Sequence, residues 1–238
     1  MLVSQGHQVV LHGRNRQRAG EALAKVPGAL TAVAGDLASI AETKSLADQV
    51  NELGVFDVVI HNAGVYRDPH GIRTVDHLPR TFAVNSLAPY ILTCLIRRPK
   101  RLVFTSSGLH RSGDASLNDL TWSSRPWSES SAYADSKLHN VILAFAVARK
   151  WPDVLSNAVE PGWVATKMGG SGAPVSIEEG ARTQVWLAES PEKEALVSGR
   201  FFHHQRPGSF HLAAADRVVQ EKYLSECSRL SGIVFPES

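Results

Sequence analysis

Short runs of apolar and β-branched residues alternate along the chain with longer segments in which apolar residues recur at helical spacing. Most of the short runs are continuously apolar, which is typical of parallel strands covered on both faces. The pattern predicts six strands, at Gln8 to His12, Thr31 to Ala34, Asp57 to His61, Arg101 to Thr105, Ser156 to Val159 and Gly199 to His203. It predicts six helices, at Arg16 to Ala24, Ile40 to Leu53, Val75 to Leu95, Ala132 to Lys150, Ile177 to Ala188 and Ala214 to Leu230. Such alternation indicates an α/β fold with a doubly wound parallel sheet between two helical layers.

Composition narrows the possible partners. The chain has 238 residues, of which 43% are hydrophobic and 20% charged, and this suits a single domain over residues 1–238. The formal net charge is +2, and acidic and basic residues are interspersed along the sequence. Because no basic run provides a field that attracts polyanions, we expect no nucleic-acid partner.

The cysteines and the start of the chain predict a cytoplasmic protein. Cys94 and Cys227 lie far apart without metal-ligand spacing, as expected for thiols in a reducing compartment. No apolar run approaches the roughly 20 residues that span a bilayer. The first residues lack the charged and apolar regions of a signal peptide. Four of the ten histidines, His110, His139, His203 and His204, show no convergent metal-ligand spacing, and we assign them to loops and packing.

The chemistry is concentrated in Tyr133-Ala-Asp-Ser-Lys137, which follows Asn85 and Ser106-Ser107 in the sequence. Residues four apart on a helix share a face, so the Tyr133 phenol and the Lys137 ammonium can converge. Hydride transfer to a carbonyl develops an alkoxide, which needs a proton donor and a second hydrogen bond. Tyr133 would be that donor. Because an ordinary tyrosine has a pKa of about 10, a nearby ammonium that stabilises the phenolate would tune it.

Each of these residues also has a purely structural interpretation. Tyr133 and Lys137 could form an exposed pair on an amphipathic helix. The apolar face of that helix would be Leu138, Val141, Ile142, Phe145 and Ala148. Ser106-Ser107 could end a strand, and Asn85 could be a polar helix residue. The order of the whole set favours the functional interpretation.

Taken in order, several motifs resemble the short-chain dehydrogenase/reductase family over nearly the whole chain. They are Asp36-Leu37, Asn62-Ala63-Gly64, Asn85, Ser107, Tyr133-x-x-x-Lys137 and Pro161-Gly162-x-Val164-x-Thr166. The insertion between Ser107 and Tyr133 is similar to that of the retinol dehydrogenase-like and protochlorophyllide reductase-like branch. The resemblance implies a Rossmann-like fold in which Tyr133 is the acid/base and Lys137 tunes it while binding the nicotinamide ribose. It also implies that Ser107 orients the substrate oxygen and that Asn85 holds a water that relays protons.

The same resemblance assigns cofactor contacts. Asn62, Ala63 and Gly64 would let the backbone approach the cofactor closely. Asp36 and Leu37 would meet the adenine. The segment with Pro161, Gly162, Val164 and Thr166 would receive the nicotinamide amide. The alternatives are a strand-to-loop turn, a helix cap and a tight turn, respectively.

Cofactor choice is encoded in His12-Gly13-Arg14-Asn15-Arg16. A carboxylate at the end of this strand usually binds the ribose 2′-hydroxyl of NAD, whereas a 2′-phosphate favours arginine. Gly13 occupies the carboxylate position and Arg14 follows it. We therefore predict NADP(H) over NAD(H), bound by Arg14 and Asn15. Arg16 or Arg18 would assist, or would simply be a solvated helix start.

One family element is absent from the sequence. The family begins with a strand and the glycine-rich turn Thr-Gly-x-x-x-Gly-x-Gly, which holds the pyrophosphate. Here Met1 to Gln5 is typical of the end of the helix that follows that turn. The absent strand would lie centrally, between Val9-Val10-Leu11 and Val58-Val59-Ile60, and its absence leaves two apolar edges unpaired. Three explanations remain open: a late start codon, a truncated chain or a genuine short homologue.

The sequence thus predicts an NADP(H)-dependent oxidoreductase that interconverts a carbonyl and an alcohol on a small apolar substrate. Trp122, Trp127, Trp163, Met168 and the segment 169–174 would line the substrate pocket or, equally, pack in the core. The irregular segment 108–131 would overhang the active site. One alternative is a sugar-nucleotide epimerase or dehydratase, which needs a larger C-terminal region. Another is a catalytically silent cofactor sensor or scaffold. A homo-oligomer through the helices from Val75 and from Ala132 is possible.

Overall fold

The structure is a computed structural model that describes residues 1–237. Seven strands are present in this range: β1 Val10–Gly13, β2 Thr31–Ala34, β3 Val58–His61, β4 Arg101–Thr105, β5 Leu155–Glu160, β6 Arg200–His203 and β7 Arg206–Pro207. The six predicted strands are confirmed to within two residues at each end. The prediction missed β7, because it has two residues, one of them a proline, and pairs antiparallel with β6 at the sheet edge.

The helices follow the predicted order. They are α1 Arg16–Lys25, α2 Ile40–Glu52, α3 Arg80–Phe82, α4 Ala88–Leu95, α5 Glu129–Lys150, α6 Ile177–Glu189 and α7 Arg217–Ser231. A π-helical segment, Ala83–Leu87, joins α3 to α4. The 3-10 turns are Val3–Gln5, Gly108–Ser112 and Leu212–Ala215.

Three helix starts differ from the prediction. Helix α5 begins at Glu129 rather than at Ala132, because Ser128 caps it by accepting a hydrogen bond from the Ser131 N–H. The helix expected from Val75 begins at Arg80, because residues 72–79 form a loop closed by a bridge between Arg73 and Pro79. His77 in this loop has a φ of 59°, which no α-helix accommodates. The last helix begins at Arg217, after the Leu212–Ala215 turn, and Asp216 caps it by accepting a hydrogen bond from the Val218 N–H.

The sheet separates two helical layers. Strands β3, β4, β5 and β6 are parallel neighbours in that order. On β4, Leu102 and Phe104 belong to the large apolar cluster that includes the buried residues of α5, whereas Val103 belongs to a cluster with Trp186 and Leu187 of α6. Because alternate residues of a strand point to opposite faces, α5 and α6 cover opposite faces of the sheet. The doubly wound α/β fold is therefore confirmed.

Strands β1 and β2 form a separate parallel pair. Val10 of β1 and Val59 of β3 nevertheless pack against the same apolar cluster, which contains Leu46 of α2 and Leu92 of α4. One helical layer therefore supports both pieces of sheet. Within residues 1–237, no strand pairs with the second edge of β1 or of β3.

At the outer edge of β2, the backbone of Ala34 is covered by a side chain. Gln49 of α2 donates through Nε2 to the Ala34 carbonyl at 3.0 Å and accepts from the Ala34 N–H at 3.2 Å. This amide therefore makes the two bonds that a neighbouring strand would otherwise make. Side chains that block an exposed edge limit pairing with other chains.

Helix α5 is enclosed by its own chain. Every residue from Ala132 to Val147 is buried, and α7 and the Leu212–Ala215 turn pack along the helix. Near the end of α5, the Phe235 ring lies 5.0 Å from the ring of Trp151. The helix proposed for subunit contacts thus has its length covered within one chain. Among the described helices, none combines the length and apolarity that a bilayer crossing requires.

Candidate active site

The carboxyl ends of β3 and β4 meet the first turns of α5. Parallel strands end at the same edge of a sheet, so Asn62-Ala63-Gly64 after β3 and Ser106-Ser107 after β4 are brought together. Ser128 caps α5 through the Ser131 N–H and so starts the helix five residues before Tyr133. The Ser106 hydroxyl donates to the Lys137 carbonyl at 2.8 Å, which fastens the end of β4 to this helix.

Tyr133 is buried and has Ser107 as a neighbour. Burial raises the pKa of Tyr133 to about 12, while the nearby Ser107 side chain lowers it and Tyr66 raises it. Ser107 also accepts a hydrogen bond from the Leu109 N–H at 3.3 Å, which begins the Gly108–Ser112 turn. The Ser107 side chain therefore lies near the Tyr133 phenol.

Lys137 is fully buried, with its ammonium 5.5 Å from the centroid of the Tyr133 ring. Its Nζ donates to the Thr105 carbonyl at 3.0 Å. Burial lowers the pKa of Lys137 to about 8, because desolvation disfavours the charged amine. The Tyr133 pKa is thus raised in this structure, contrary to the lowering that the sequence predicts, and burial of the phenol is the largest cause.

Asn85 lies in the π-helical segment and holds the segment after β3. Its Oδ1 accepts from the Val65 N–H at 2.7 Å, and its Nδ2 donates to the Val65 carbonyl at 2.8 Å and to the Ser136 hydroxyl at 2.9 Å. A Cβ placed on Gly64 would lie 3.4 Å from both Asn85 Oδ1 and Lys137 Nζ. Asn85, Gly64 and Lys137 therefore converge, with the Asn85 amide engaged in fixing Val65.

The sequence prediction missed Tyr66. Its ring centroid lies 4.4 Å from that of Tyr133, at an interplanar angle of 40°. Asn85 positions it by holding the preceding residue, Val65. The signal that could have identified Tyr66 is its place two residues after Gly64, on the segment that the cofactor motif brings to the site.

The segment 108–131 is firmly anchored to α5. Arg125 donates to the Asp135 carboxylate at 2.5 Å and stacks 3.6 Å from the centroid of the Trp122 ring. The Trp127 indole donates to the Asp68 carbonyl at 2.8 Å. Trp122 is buried and its ring lies 5.1 Å from that of Trp127, so these two tryptophans pack within the fold. Trp163, in contrast, is 60% exposed.

The end of β1 presents exposed basic side chains. Arg14 and Arg16 are exposed and, in the part of the chain that the structure describes, make no side-chain hydrogen bond or ion pair. Asn15 caps α1 by accepting from the Arg18 N–H at 2.9 Å, and Arg18 pairs with Glu21. The Asn15 side chain, predicted to bind cofactor, is thus used locally. The two unpaired arginines fit a phosphate beside the start of α1.

Asp36 and Leu37 follow β2. Asp36 Oδ1 accepts from the Ala38 N–H at 2.9 Å, and the backbone N–H of Asp36 donates to Glu42. Leu37 is buried in the cluster beneath β1 and β3. The Asp36 carboxylate keeps a second oxygen for a ligand amino group, since a carboxylate accepts at both oxygens.

The segment Pro161 to Thr166 forms a turned loop after β5. Gly162 has a φ of 81°, and Val164 makes a parallel bridge with Val175. The Thr166 hydroxyl is exposed and accepts from the Gly169 N–H at 3.2 Å. Within residues 1–237, Thr166 makes no hydrogen bond with Tyr133 or Lys137. No group of three His, Cys, Asp or Glu side chains in that range is arranged to hold a metal ion.

Comparison with known proteins places the chain among oxidoreductases. The family model described as Enoyl-(Acyl carrier protein) reductase matches residues 1–196. An uncharacterized oxidoreductase of Emericella nidulans is 44% identical over 241 residues, covering 99% of this chain and 92% of that protein. Human retinol dehydrogenase 14 is 30% identical over 264 residues, covering 93% of this chain and 78% of that protein.

Solved structures share the fold. A crystal structure of an uncharacterized protein from Mycobacterium paratuberculosis superposes with a TM-score of 0.83 at 26% identity, covering 99% of this chain and 88% of that chain. Salutaridine reductase from Papaver somniferum superposes with a TM-score of 0.66 at 22% identity, covering 84% and 92% respectively.

Proposed function

The chain belongs to the short-chain dehydrogenase/reductase family, on its retinol dehydrogenase-like branch, and from that premise we propose an NADP(H)-dependent oxidoreductase that interconverts a carbonyl and an alcohol. The substrate is small to medium in size and apolar. The observation that carries the proposal is the convergence of Ser107, Tyr133 and Lys137 at the edge where β3 and β4 end.

The residues divide the proton chemistry among themselves. The nicotinamide cofactor supplies or accepts the hydride when it is bound. In the reducing direction, Tyr133 donates its phenolic proton to the developing alkoxide, and the Ser107 hydroxyl holds the same oxygen. Lys137 stabilises the resulting phenolate, since an ammonium favours the ionised form of a nearby group. In the oxidising direction, the phenolate takes the proton from the alcohol.

Lys137 is equipped for two partners at once. An ammonium has three donors, and one of them is used on the Thr105 carbonyl. The other donors remain for the phenolate and for a ribose hydroxyl. Asn85 acts beside it as a positioning residue through Val65, because its side-chain amide is committed to that backbone.

Cofactor selection rests on the end of β1. A Cβ at Gly13 would lie 2.3 Å from the backbone nitrogen of Ala19, so no side chain fits there without displacing α1. A carboxylate that would bind an unphosphorylated ribose is thereby excluded from this position. Arg14 and Arg16 instead offer exposed guanidinium groups, which suit a 2′-phosphate.

Tyr133→Phe tests the reaction. The variant keeps the aromatic ring and loses the proton donor. We therefore expect its affinity for NADPH, measured by tryptophan fluorescence, to be unchanged. We expect its turnover of a panel of apolar ketones and aldehydes to be lost. Tyr223→Phe is the matched control, because it removes a buried hydroxyl outside the site, bonded to the Ser86 carbonyl at 3.2 Å. Full turnover by Tyr133→Phe would refute the assigned role and favour the silent-sensor alternative.

Arg14→Ala tests cofactor selection. We expect the Kd for NADPH to rise about tenfold, which corresponds to about 1.4 kcal/mol, while the Kd for NADH stays constant. Arg97→Ala is the control, since Arg97 is exposed and lies on the loop that follows α4. An equal loss of both affinities would contradict selection by Arg14.

A further inference from the structure

His110 is fully buried one turn after Ser107, and both of its ring nitrogens have partners. Nδ1 lies 2.6 Å from the Ser107 carbonyl oxygen, and Nε2 lies 3.3 Å from the backbone nitrogen of His211. The ring also packs against Phe201 at a centroid distance of 4.5 Å. A histidine in this place is therefore engaged on three sides.

The two contacts determine where the proton lies. A carbonyl oxygen only accepts, so Nδ1 must carry the hydrogen, whereas a backbone N–H only donates, so Nε2 must present its lone pair. His110 is thus neutral, in the Nδ1–H tautomer. Burial lowers the pKa of His110, and this keeps the neutral form at ordinary pH.

We propose that His110 is a positioning residue for Ser107, tying the serine that faces Tyr133 to the segment that carries His211. The Ser107 carbonyl accepts from the His110 ring and, at 3.0 Å, from the His110 backbone N–H, so one residue provides both of its bonds. The inference rests on the proposed function, because it assigns a consequence to the Ser107 hydroxyl. His110 thereby connects the segment that carries His211 to the carbonyl of Ser107.

The contact between His110 Nε2 and the His211 backbone N–H requires a neutral imidazole. A proton on Nε2 would place two N–H groups against each other at His211, and that contact would open. The charged and titratable groups near the ring are Arg111, Glu160 and His211, of which Arg111 and His211 oppose protonation and Glu160 favours it. The acid limb of kcat should therefore lie below the ordinary histidine range and should vanish in variants without the imidazole.

Substitutions at position 110 test the contact with Ser107. His110→Phe keeps a ring against Phe201 and removes both polar contacts, so we expect kcat to fall about tenfold, with the Kd for NADPH and the KM nearly unchanged. His110→Asn places an amide nitrogen where Nδ1 lies and should recover most of the loss. Equal kcat in His110→Phe and the wild type, or no recovery in His110→Asn, would overturn the proposal.

Substitutions at position 211 test the second contact. His211 has a φ of −67°, which proline adopts, so His211→Pro removes the N–H while keeping the backbone conformation. His211→Ala is the matched control, since both variants lose the side-chain cap on the Ala213 N–H and only the proline loses the donor to His110. We expect a lower kcat in the proline variant than in the alanine variant. Equal values would refute the tie.

A measurement without substrate separates this inference from the proposed function. Nitrogen NMR of the wild-type imidazoles reports which His110 nitrogen carries the proton, and we expect Nδ1. A proton on Nε2 would overturn the positioning role, whatever the turnover. A wild-type protein with the Nδ1–H tautomer and no turnover on the ketone and aldehyde panel would refute the proposed function instead.

Discussion

Lys137→Met should make the protein more stable while abolishing its turnover. Lys137 is fully buried, and burial lowers its pKa from 10.5 to about 8. At 1.36 kcal/mol per pKa unit, holding the charged amine in this place costs about 3 kcal/mol. Methionine fills a similar volume without a charge. The Thr105 carbonyl, which loses its bond from Lys137, still accepts from the Asn140 amide at 3.1 Å.

At neutral pH, the Lys137→Met substitution should give a net gain in the free energy of unfolding. Loss of a charged hydrogen bond removes about 1.5 kcal/mol, so we expect the free energy of unfolding at pH 7 to rise by about 1 to 2 kcal/mol. The pKa of Lys137 is lower in the folded state than in the unfolded state. Below pH 8 the amine is charged in both states, so the wild type bears the full cost of burying the charge. This cost disappears as the pH rises towards 10.5. The advantage of the variant should shrink over the same interval.

Urea unfolding of both proteins at pH 7 and at pH 10 measures the difference. Lys193→Met is the control, because Lys193 is exposed and its replacement should give no pH-dependent change. A variant that is less stable than the wild type at pH 7, or a difference that is equal at both pH values, would refute the reasoning that burial strains this amine.

Three glycine substitutions and one tyrosine substitution give further tests. Gly13→Ala should lower the free energy of unfolding by about 3 kcal/mol, because its Cβ would meet the backbone of α1 at 2.3 Å. Gly20→Ala, where nothing lies within 4 Å, should raise it by up to about 1 kcal/mol; equal urea midpoints for these two variants would contradict both. Gly113→Ala places a Cβ 2.9 Å from a carbonyl of α5 and should cost about 1 to 3 kcal/mol without changing the slope of urea unfolding. Tyr66→Phe should move the alkaline limb of kcat/KM to lower pH, since the phenol of Tyr66 raises the pKa of Tyr133; a move to higher pH would exclude that coupling.

Continuous apolar runs made the strands predictable. Thr31–Ala34 and Arg101–Thr105 were predicted to the residue, because a parallel strand covered on both faces leaves an uninterrupted signature. The helix expected from Val75 was not predicted correctly, because Val75 and Leu78 have helical spacing although they lie in a loop. A bridge between Arg73 and Pro79 closes that loop. Local spacing carries no information on that pairing.

The same distinction applies to the site. Tyr133 and Lys137 share a helix, so their proximity follows from spacing alone. His110 was assigned to loops and packing because it lacks metal-ligand spacing, and its partner His211 is 101 residues away in the sequence. Tyr66 likewise acquires a role only when folding brings its ring against Tyr133. Contacts between distant segments decide which ordinary side chains support the chemistry, and a motif does not record them.

The Gln49 amide makes the cover over Ala34 at the edge of β2 depend on one hydrolysable bond. Deamidation would replace its donor nitrogen with a second oxygen, and this oxygen would face the Ala34 carbonyl that now accepts from Nε2. The backbone of Ala34 would then be open to strands of other molecules, so slow deamidation of the half-buried Gln49 would appear as self-association rather than as lost catalysis.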